Sequence, residues 1–115
     1  MVTVTMMHEA REQLAELPRI IVLRMEKLLT RLGQWPTVSG VKHLRGDLAG
    51  KCRLRTGDYR LQFHVEEKSR KERQTRVIRG KKVSEETEIT DYIVVVEKIG
   101  HRDGFYEENQ KWAFE

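Results

Sequence analysis

The spacing of hydrophobic residues divides the chain into a helical first part and a strand-rich second part. Residues 2–6 alternate between apolar side chains and Thr, which predicts a short edge strand. Apolar residues recur every three or four positions over 7–17 and again over 21–32, on either side of Pro18, which predicts two short amphipathic helices. Gly33 stands where a helix is commonly capped at its C terminus. We therefore expect a helical hairpin.

The second part of the chain has the period of two that is typical of strands. Residues 51–55 and 59–65 both alternate, and the turn-forming residues 56–58 between them predict an antiparallel hairpin. The run 92–99 is apolar at nearly every position, which predicts an interior strand covered on both faces. The aromatic residues Phe105, Trp112 and Phe114 in segment 103–114 predict a short C-terminal helix that docks through them. The expected fold class is α+β, with an N-terminal helical hairpin packed on a small antiparallel β-sheet.

A charged stretch, residues 66–91, interrupts this pattern. Its charges are segregated, because residues 68–82 carry a net charge of +7 whereas residues 84–91 carry four acids and no base. Such blocks are usually solvated loops or an extended hairpin, and a dedicated contact with RNA or a partner is the alternative. We predict a single domain, 1–115, with this stretch as a charged insertion that is dispensable for folding.

Composition narrows the classes of partner and compartment. The chain has 115 residues, a formal net charge of +4 and a sequence pI near 9.4, which together favour polyanions or an acidic protein as partner. Cys52 is the only cysteine, which excludes an internal disulfide and a cysteine-rich metal site. No apolar run approaches the length of a membrane span. We expect a cytoplasmic protein that does not contact a membrane.

Strand alternation predicts a cationic surface on one face of the sheet. Lys51 and Arg53 share a face of the first hairpin strand, and Arg60 joins them from the second strand. Arg102 follows the interior strand closely. This spacing suits successive phosphates of a nucleic acid. The sequence has no metal-ligand cluster and no phosphate-binding Gly-rich loop, so we predict no metal and no cofactor.

Such a surface has the means to cleave RNA without a metal. The 2′-hydroxyl attacks the adjacent phosphate, and the reaction needs a base, charge stabilisation and an acid. Arginines supply the stabilisation but stay protonated. The candidates for proton transfer are Lys51, His64, His101 and Tyr106. Neighbouring arginines would disfavour the charged form of Lys51 and so favour its action as a base.

Three motifs in a fixed order carry a resemblance to a known family. They are Leu44-Arg45-Gly46, the run KCRLRTGDYR at 51–60 and the run IGHRDGFY at 99–106. In this order they resemble the RelE-type toxins of the RelE/ParE superfamily, which belong to bacterial toxin–antitoxin modules. The resemblance covers nearly the whole chain outside the charged insertion. It implies a ribosome-dependent mRNA endonuclease that inhibits translation, contacts 16S ribosomal RNA and is inhibited by a cognate antitoxin.

The resemblance also implies roles for individual residues. Arg60 and Arg102 match arginines that bind the scissile phosphate, and Tyr106 matches a tyrosine that stacks near the cleaved nucleotide. The predicted catalytic residues are Lys51, Arg53, Arg60, His101, Arg102 and Tyr106. The predicted RNA-binding residues are Lys42, Arg45 and Arg55.

One departure from the family pattern keeps the mechanism open. Arg53 stands where RelE-type toxins have a lysine that acts as base, so proton transfer passes to Lys51, His101 or Tyr106, or is lost. Two other functions remain possible on the sequence alone. One is a gyrase poison of the ParE branch, and the other is a non-catalytic relative that binds nucleic acid or an antitoxin.

Overall fold

The computed structural model of the protein describes residues 1–105, which form two helices and five strands. The elements are β1 (Val2–Met6), α1 (His8–Ala15), α2 (Arg19–Leu32), β2 (Lys42–His43), a 3₁₀ turn (Gly46–Leu48), β3 (Cys52–Thr56), β4 (Tyr59–Ile78) and β5 (Lys81–His101). Neither helix is long and apolar enough to cross a bilayer.

All five strands belong to one sheet, in the order β1-β5-β4-β3-β2. β1 runs parallel to β5, with Val4 opposite Val94. The other three pairs are antiparallel, and β3 and β4 form the hairpin around residues 56–58 that the alternation predicts. The sheet is therefore mixed, with β5 as the strand that joins its parallel and antiparallel parts.

The predicted fold class is wrong, because the sheet is neither small nor antiparallel. β4 has 20 residues and β5 has 21, so each continues through the charged stretch instead of stopping near Val65 and resuming near Tyr92. Cross-strand ion pairs hold this extension, since Arg70 meets Asp91 at 2.8 Å. The parallel partner of β1 lies about 90 residues away in sequence, and no local pattern specifies a pairing at that separation.

The hydrophobic core lies between the two helices and one face of the sheet. The buried residues of α2 are Ile21, Met25, Leu28 and Leu32. Because they are three or four residues apart, they form one stripe of the helix, which faces the strands. Phe63 on β4 is fully buried and meets the ring of Trp35 edge to face, with 5.6 Å between the centroids. The sheet face under the helices is thus apolar, and the polar side chains of β3 and β4 are left to the opposite face.

A β-bulge changes the alternation of β5 at one position. Gln62 lies opposite Lys98 and Phe63 lies opposite Val96, so Glu97 is the extra residue between two regular pairs. The bulge lets Val96 and Ile99 both face the core although they are three residues apart. Because of it, the consecutive residues Glu97 and Lys98 both lie on the face that the helices do not cover.

The interior strand is less covered than its apolar run predicts. Val94, Val96 and Ile99 are buried, but Ile93 and Val95 on the other face are only half-buried. The expectation of cover on both faces is wrong because both helices pack on one side of the sheet. The predicted helix 103–114 falls almost entirely outside the described residues, and the part inside them is a turn.

Truncation of the central core residue should cost far more stability than truncation at the end of the long hairpin. We expect Phe63→Ala to lower the free energy of unfolding by about 3–5 kcal/mol, because it leaves a cavity where the sheet meets the helices. Val77→Ala, at a side chain that is 69% exposed, should change it by less than about 0.5 kcal/mol. Urea denaturation of both variants checks this, and equal losses would contradict the assigned core.

Candidate functional site

Polar and basic side chains gather on the sheet face that points away from the helices, here called the polar face. Arg53 lies opposite Gln62, which in turn lies opposite Lys98. Residues that are directly opposite each other in neighbouring strands share a face. The members of the polar face are Lys42, Lys51, Arg53, Arg55, Arg60, Gln62, His64, Glu97 and Lys98. The structure therefore brings together five of the residues predicted for the site: Lys42, Lys51, Arg53, Arg55 and Arg60.

Glu97, the bulge residue, is the centre of a hydrogen-bonded cluster on this face. The Nζ of Lys51 donates to its Oε2 at 2.9 Å, and the Nε2 of Gln62 donates to its Oε1 at 3.4 Å. The Nδ1 of His64 lies 3.2 Å from the same Oε2. One carboxylate thus holds an amine, an amide and an imidazole in fixed positions. We call these four residues the Glu97 cluster.

The environment of Glu97 keeps it ionised. Burial raises the pKa of its carboxyl group, since the side chain is only 14% exposed. The hydrogen bonds from Lys51 and Gln62, together with the charge of Lys51, lower this pKa by more, so it lies below its ordinary value. Lys51 thus has a carboxylate as its direct partner in addition to the neighbouring arginines, and its predicted role in proton transfer stays a prediction.

Arg53 and Arg60 are nearly fully buried, at 5% and 3% exposed. A guanidinium nitrogen of Arg60 donates to the backbone oxygen of Gly57 at 3.1 Å and also approaches that of Tyr59 at 3.5 Å. Arg60 therefore fastens the β3–β4 turn. Truncation of Arg60 would therefore remove a donor from the turn carbonyls of Gly57 and Tyr59, and the predicted role of its side chain in phosphate binding stays a prediction.

Phe105 covers one end of the polar face. Its ring packs against Gly100, where an added Cβ would lie 3.3 Å from the ring, and Gly100 is the residue opposite Arg60. The Nζ of Lys98 lies 4.7 Å from the ring centroid and donates to the backbone oxygen of Phe105. This aromatic side chain restricts access to the buried guanidinium of Arg60.

The open end of the face is a groove of about 670 Å³ beside β3. Its lining residues are Arg31, Ser39, Gly40, Val41, Lys42, Arg53, Leu54 and Arg55. Four of these eight are cations. Arg31 belongs to α2 and reaches the groove by donating to the backbone oxygen and, at 3.2 Å, to the hydroxyl of Ser39. Sequence reasoning missed Arg31, because its helical position gives no sign that it borders a strand.

His101 does not join the polar face. It lies opposite Tyr59 in the register, and the two rings meet edge to face at 5.2 Å on the side of the core. Its Nδ1 accepts the backbone N–H of Asp103 at 3.1 Å. Arg60 lies opposite Gly100, and His101 is the next residue along β5. The side chains of His101 and Arg60 therefore point to opposite sides of the sheet. The geometry separates this histidine from the predicted arginines.

The remaining predicted residues lie at the margins of the face. Arg102 follows β5 with its side chain 57% exposed, 3.7 Å from the carboxylates of Asp58 and Asp103. Arg45 is exposed and precedes the 3₁₀ turn. Tyr106 lies outside the described residues. Arg102 is two residues after Gly100, the residue opposite Arg60, so alternation carries the side chain of Arg102 to the side of Arg60.

His64 and Glu97 are the members of the site that the sequence pattern undervalues. His64 alternates with the polar residues of β4 but has no visible partner in the sequence, because its partner comes from a strand more than 30 residues later. Glu97 is the one acid within the apolar run of β5. An acid within such a run is a signal of a pairing or a bulge, and this signal was available in the sequence.

The described residues contain no group of three or more His, Cys, Asp or Glu side chains suited to hold a metal ion. Cys52 lies on the core side, with its Sγ 3.4 Å from the Nδ1 of His43. Burial raises the pKa of the Cys52 thiol, which disfavours the thiolate that a nucleophile requires. The chemistry of the polar face therefore depends on its nitrogen bases and carboxylate.

The ion pair in the Glu97 cluster should make stability depend on pH. The folded pKa of Glu97 is lowered, so its contribution is present above the unfolded pKa of about 4.3 and is lost as the pH falls through the folded value. We expect Glu97→Gln to be less stable at pH 7 and to lose less of its stability between about pH 5 and pH 3 than the unaltered protein. Glu16→Gln is the control, because Glu16 is exposed and forms no ion pair with residues 1–105. If the stability of Glu97→Gln fell with pH as much as that of the unaltered protein, the role of the Glu97 cluster would be contradicted.

Comparison with known proteins supports the resemblance through structure. Neither the protein-family models nor the curated proteins contain a match. Among solved structures, the chain is similar to a chain of the toxin–antitoxin complex RelBE2 from Mycobacterium tuberculosis, with a TM-score of 0.56 and 25% identity. The match covers 87% of this chain and 96% of that chain. The resemblance to RelE-type toxins that the sequence motifs indicate is therefore confirmed by a solved structure.

Proposed function

We propose that this chain is the toxin of a toxin–antitoxin pair and a ribosome-dependent mRNA endonuclease that works without a metal. The observation that carries the proposal is the convergence of the Glu97 cluster with Arg53, Arg55 and Arg60 on one sheet face. The similarity to a chain of a toxin–antitoxin complex supports the same assignment. Both the means to bind a phosphate backbone and the means to move a proton are within one surface.

The groove beside β3 is the proposed entry for the RNA backbone. Arg31, Lys42 and Arg55 border it and lie close enough together for contacts with successive phosphates. Arg53 lies at its inner wall and is buried, so its charge acts where water is scarce and electrostatic stabilisation is strong. The phosphate to be cleaved would lie between this wall and the Glu97 cluster.

Proton transfer is assigned to His64 and Lys51. The Nδ1 of His64 faces Glu97 at 3.2 Å, which orients the ring, and its Nε2 lies 3.5 Å from the exposed carboxylate of Glu66. This Nε2 is the atom assigned to accept the proton of the 2′-hydroxyl. The 2′-oxygen then forms a bond to phosphorus, and the bond from phosphorus to the 5′-oxygen breaks. Lys51 donates a proton to that leaving oxygen. The products are a 2′,3′-cyclic phosphate and a free 5′-hydroxyl, and the proton passes from His64 back to Lys51 to complete the cycle.

In this mechanism Arg53 and Arg60 are fixed charges. Neither acts as a base, because a guanidinium stays protonated. They stabilise the negative charge that grows on the phosphorane, and Arg102 adds an exposed cation at the far end of the face. Movement of Phe105 away from Gly100 would open the approach to Arg60.

A cognate antitoxin is the proposed protein partner. The formal net charge of +4 suits an acidic partner that approaches the polar face by electrostatic attraction. Such a partner would compete with RNA for the same cations. This assignment rests on the similarity to a chain of a toxin–antitoxin complex.

Two histidines on opposite sheet faces give a matched test of the assigned base. We expect His64→Gln to lower the rate of cleavage of ribosome-bound mRNA by roughly 10²–10⁴-fold, because it removes the base. His101→Gln should keep the activity within a few-fold, since that side chain lies on the core side of the sheet beside Tyr59. Cleavage is measured by primer extension on a message stalled on purified ribosomes.

The opposite result, with loss of cleavage in His101→Gln alone, would contradict the proposed mechanism. The absence of any cut message with the unaltered protein, together with inhibition of gyrase, would instead identify a gyrase poison. Circular dichroism of both variants shows whether the substitutions leave the fold intact.

Cleavage should persist in an excess of chelator. The mechanism draws its base, acid and charge stabilisation from side chains, so it requires no divalent ion at the site. The assay uses ribosomes stabilised with polyamines, so that the chelator does not dissociate their subunits. Loss of activity that a divalent ion restores, with ribosomes shown to be intact, would overturn the proposal.

A further inference from the structure

The β4–β5 hairpin extends beyond the sheet as a two-stranded arm, formed by residues 66–91. β1 pairs with β5 over residues 92–96, and β3 pairs with β4 over residues 59–63, so no other strand within residues 1–105 flanks the arm. The molecule measures 65 × 32 × 24 Å, which reflects this extension. An isolated two-stranded ribbon is marginally stable in water, so a projection of this length suggests a binding role.

Ion pairs join the two strands of the arm at several positions below its apex. Arg70 contacts Asp91 at 2.8 Å, Arg76 contacts Glu85 at 3.0 Å, and Arg73 lies 3.5 Å from Glu86. These pairs join the two strands. The eleven residues around the turn at the end of the arm, 73–83, include five basic residues and no acidic residue. We call them the arm tip.

Three cations of the arm tip remain available for a ligand. Arg79, Lys81 and Lys82 form no ion pair with any of residues 1–105, and all three are exposed. Val77 and Ile78 beside them are 69% and 49% exposed.

The turn at the apex is built around a basic residue. Arg79 has φ 52° and Gly80 has φ 77°, which are the left-handed values of a two-residue hairpin turn. Asn or Asp is the usual residue at the position of Arg79, because a long side chain rarely adopts this backbone conformation. An arginine at the foremost point of the molecule, in an unfavourable conformation, indicates that its charge is used there.

Cations point to both sides of the arm tip. The register places Arg76 and Lys81 on the side of the polar face, and Arg73 and Lys82 on the other side. An acidic protein surface would meet one side of a ribbon. A double-helical RNA places phosphates on both sides of its wide, shallow minor groove, where proteins contact the phosphates and the 2′-hydroxyls.

We propose that the arm tip is a second RNA-binding element, which docks on the sugar–phosphate backbone of a folded, double-helical RNA. His64 and Ile78 are 14 residues apart on one strand, so the tip lies about 45 Å from the Glu97 cluster. The tip therefore contacts a region of RNA remote from the phosphate to be cleaved. The choice of RNA rests on the proposed function, but the contact itself depends on the arm alone.

The test compares two variants that lose the same charge. The tip variant is Arg79→Gln, Lys81→Gln and Lys82→Gln, and the control variant is Arg11→Gln, Arg19→Gln and Lys27→Gln, at exposed positions on the helices. The probe is a mixed-sequence duplex RNA of about 20 base pairs, followed by fluorescence anisotropy at several salt concentrations. We expect the tip variant to bind at least 10-fold more weakly and its salt slope to fall by about two to three, with a smaller change in the control.

Further measurements keep each outcome decisive. Arg79→Asn preserves a favourable turn while it removes one charge, so it should reduce the salt slope by about one even if the triple variant is unstable. Equal loss of affinity in the tip and control variants would overturn the proposal. So would weaker binding by the tip variant to polyglutamate or to duplex DNA alone, with binding to duplex RNA unchanged.

The proposal for the arm tip and the proposal for the polar face can be disproved independently of each other. If His64→Gln cleaves as well as the unaltered protein, the proposed mechanism is wrong, and the duplex-binding result still stands. If the tip variant binds duplex RNA normally, the second element is wrong, and cleavage by the polar face is unaffected.

Discussion

The pairing of β4 with β5 is the interaction on which the rest of the structure depends. It places Phe63 opposite Val96 on the core side, and both are fully buried there. The same pairing contains the bulge that keeps both Glu97 and Lys98 on the polar face. Beyond the sheet it continues as the arm. One long antiparallel ladder therefore supplies the core, the candidate site and the second proposed RNA contact.

The bulge links stability to chemistry within a few residues. In a regular ladder, the alternation that puts Val96 in the core and Glu97 on the polar face would turn Lys98 toward the core and Ile99 away from it. The extra residue allows Val96 and Ile99 to stay in the core while Glu97 contacts Lys51 and His64. Hydrogen bonds to the carboxylate offset its partial burial, which is why a charged group is tolerated in an interior strand.

The two sheet faces divide the histidines into different roles. His64 and His101 both lie near the arginines in a simple reading of the sequence, but the register places them on opposite sides. His101 packs against Tyr59, and His64 bonds to a carboxylate that orients its ring. The resemblance to RelE-type toxins predicts a catalytic role for His101. The contact between His64 and Glu97 instead favours His64 as the candidate for proton transfer.

The sequence by itself determined the helices, the β3–β4 hairpin, the resemblance to RelE-type toxins and the shared face of Lys51, Arg53 and Arg60. These follow from short-range periodicity, which a helix or a hairpin expresses directly. The tertiary structure decided the parallel pairing of β1, the length of the arm and the partner of His64. Each of these joins residues that are distant in sequence, and the position of the bulge at Glu97 is fixed only by the pairing of β5 with β4.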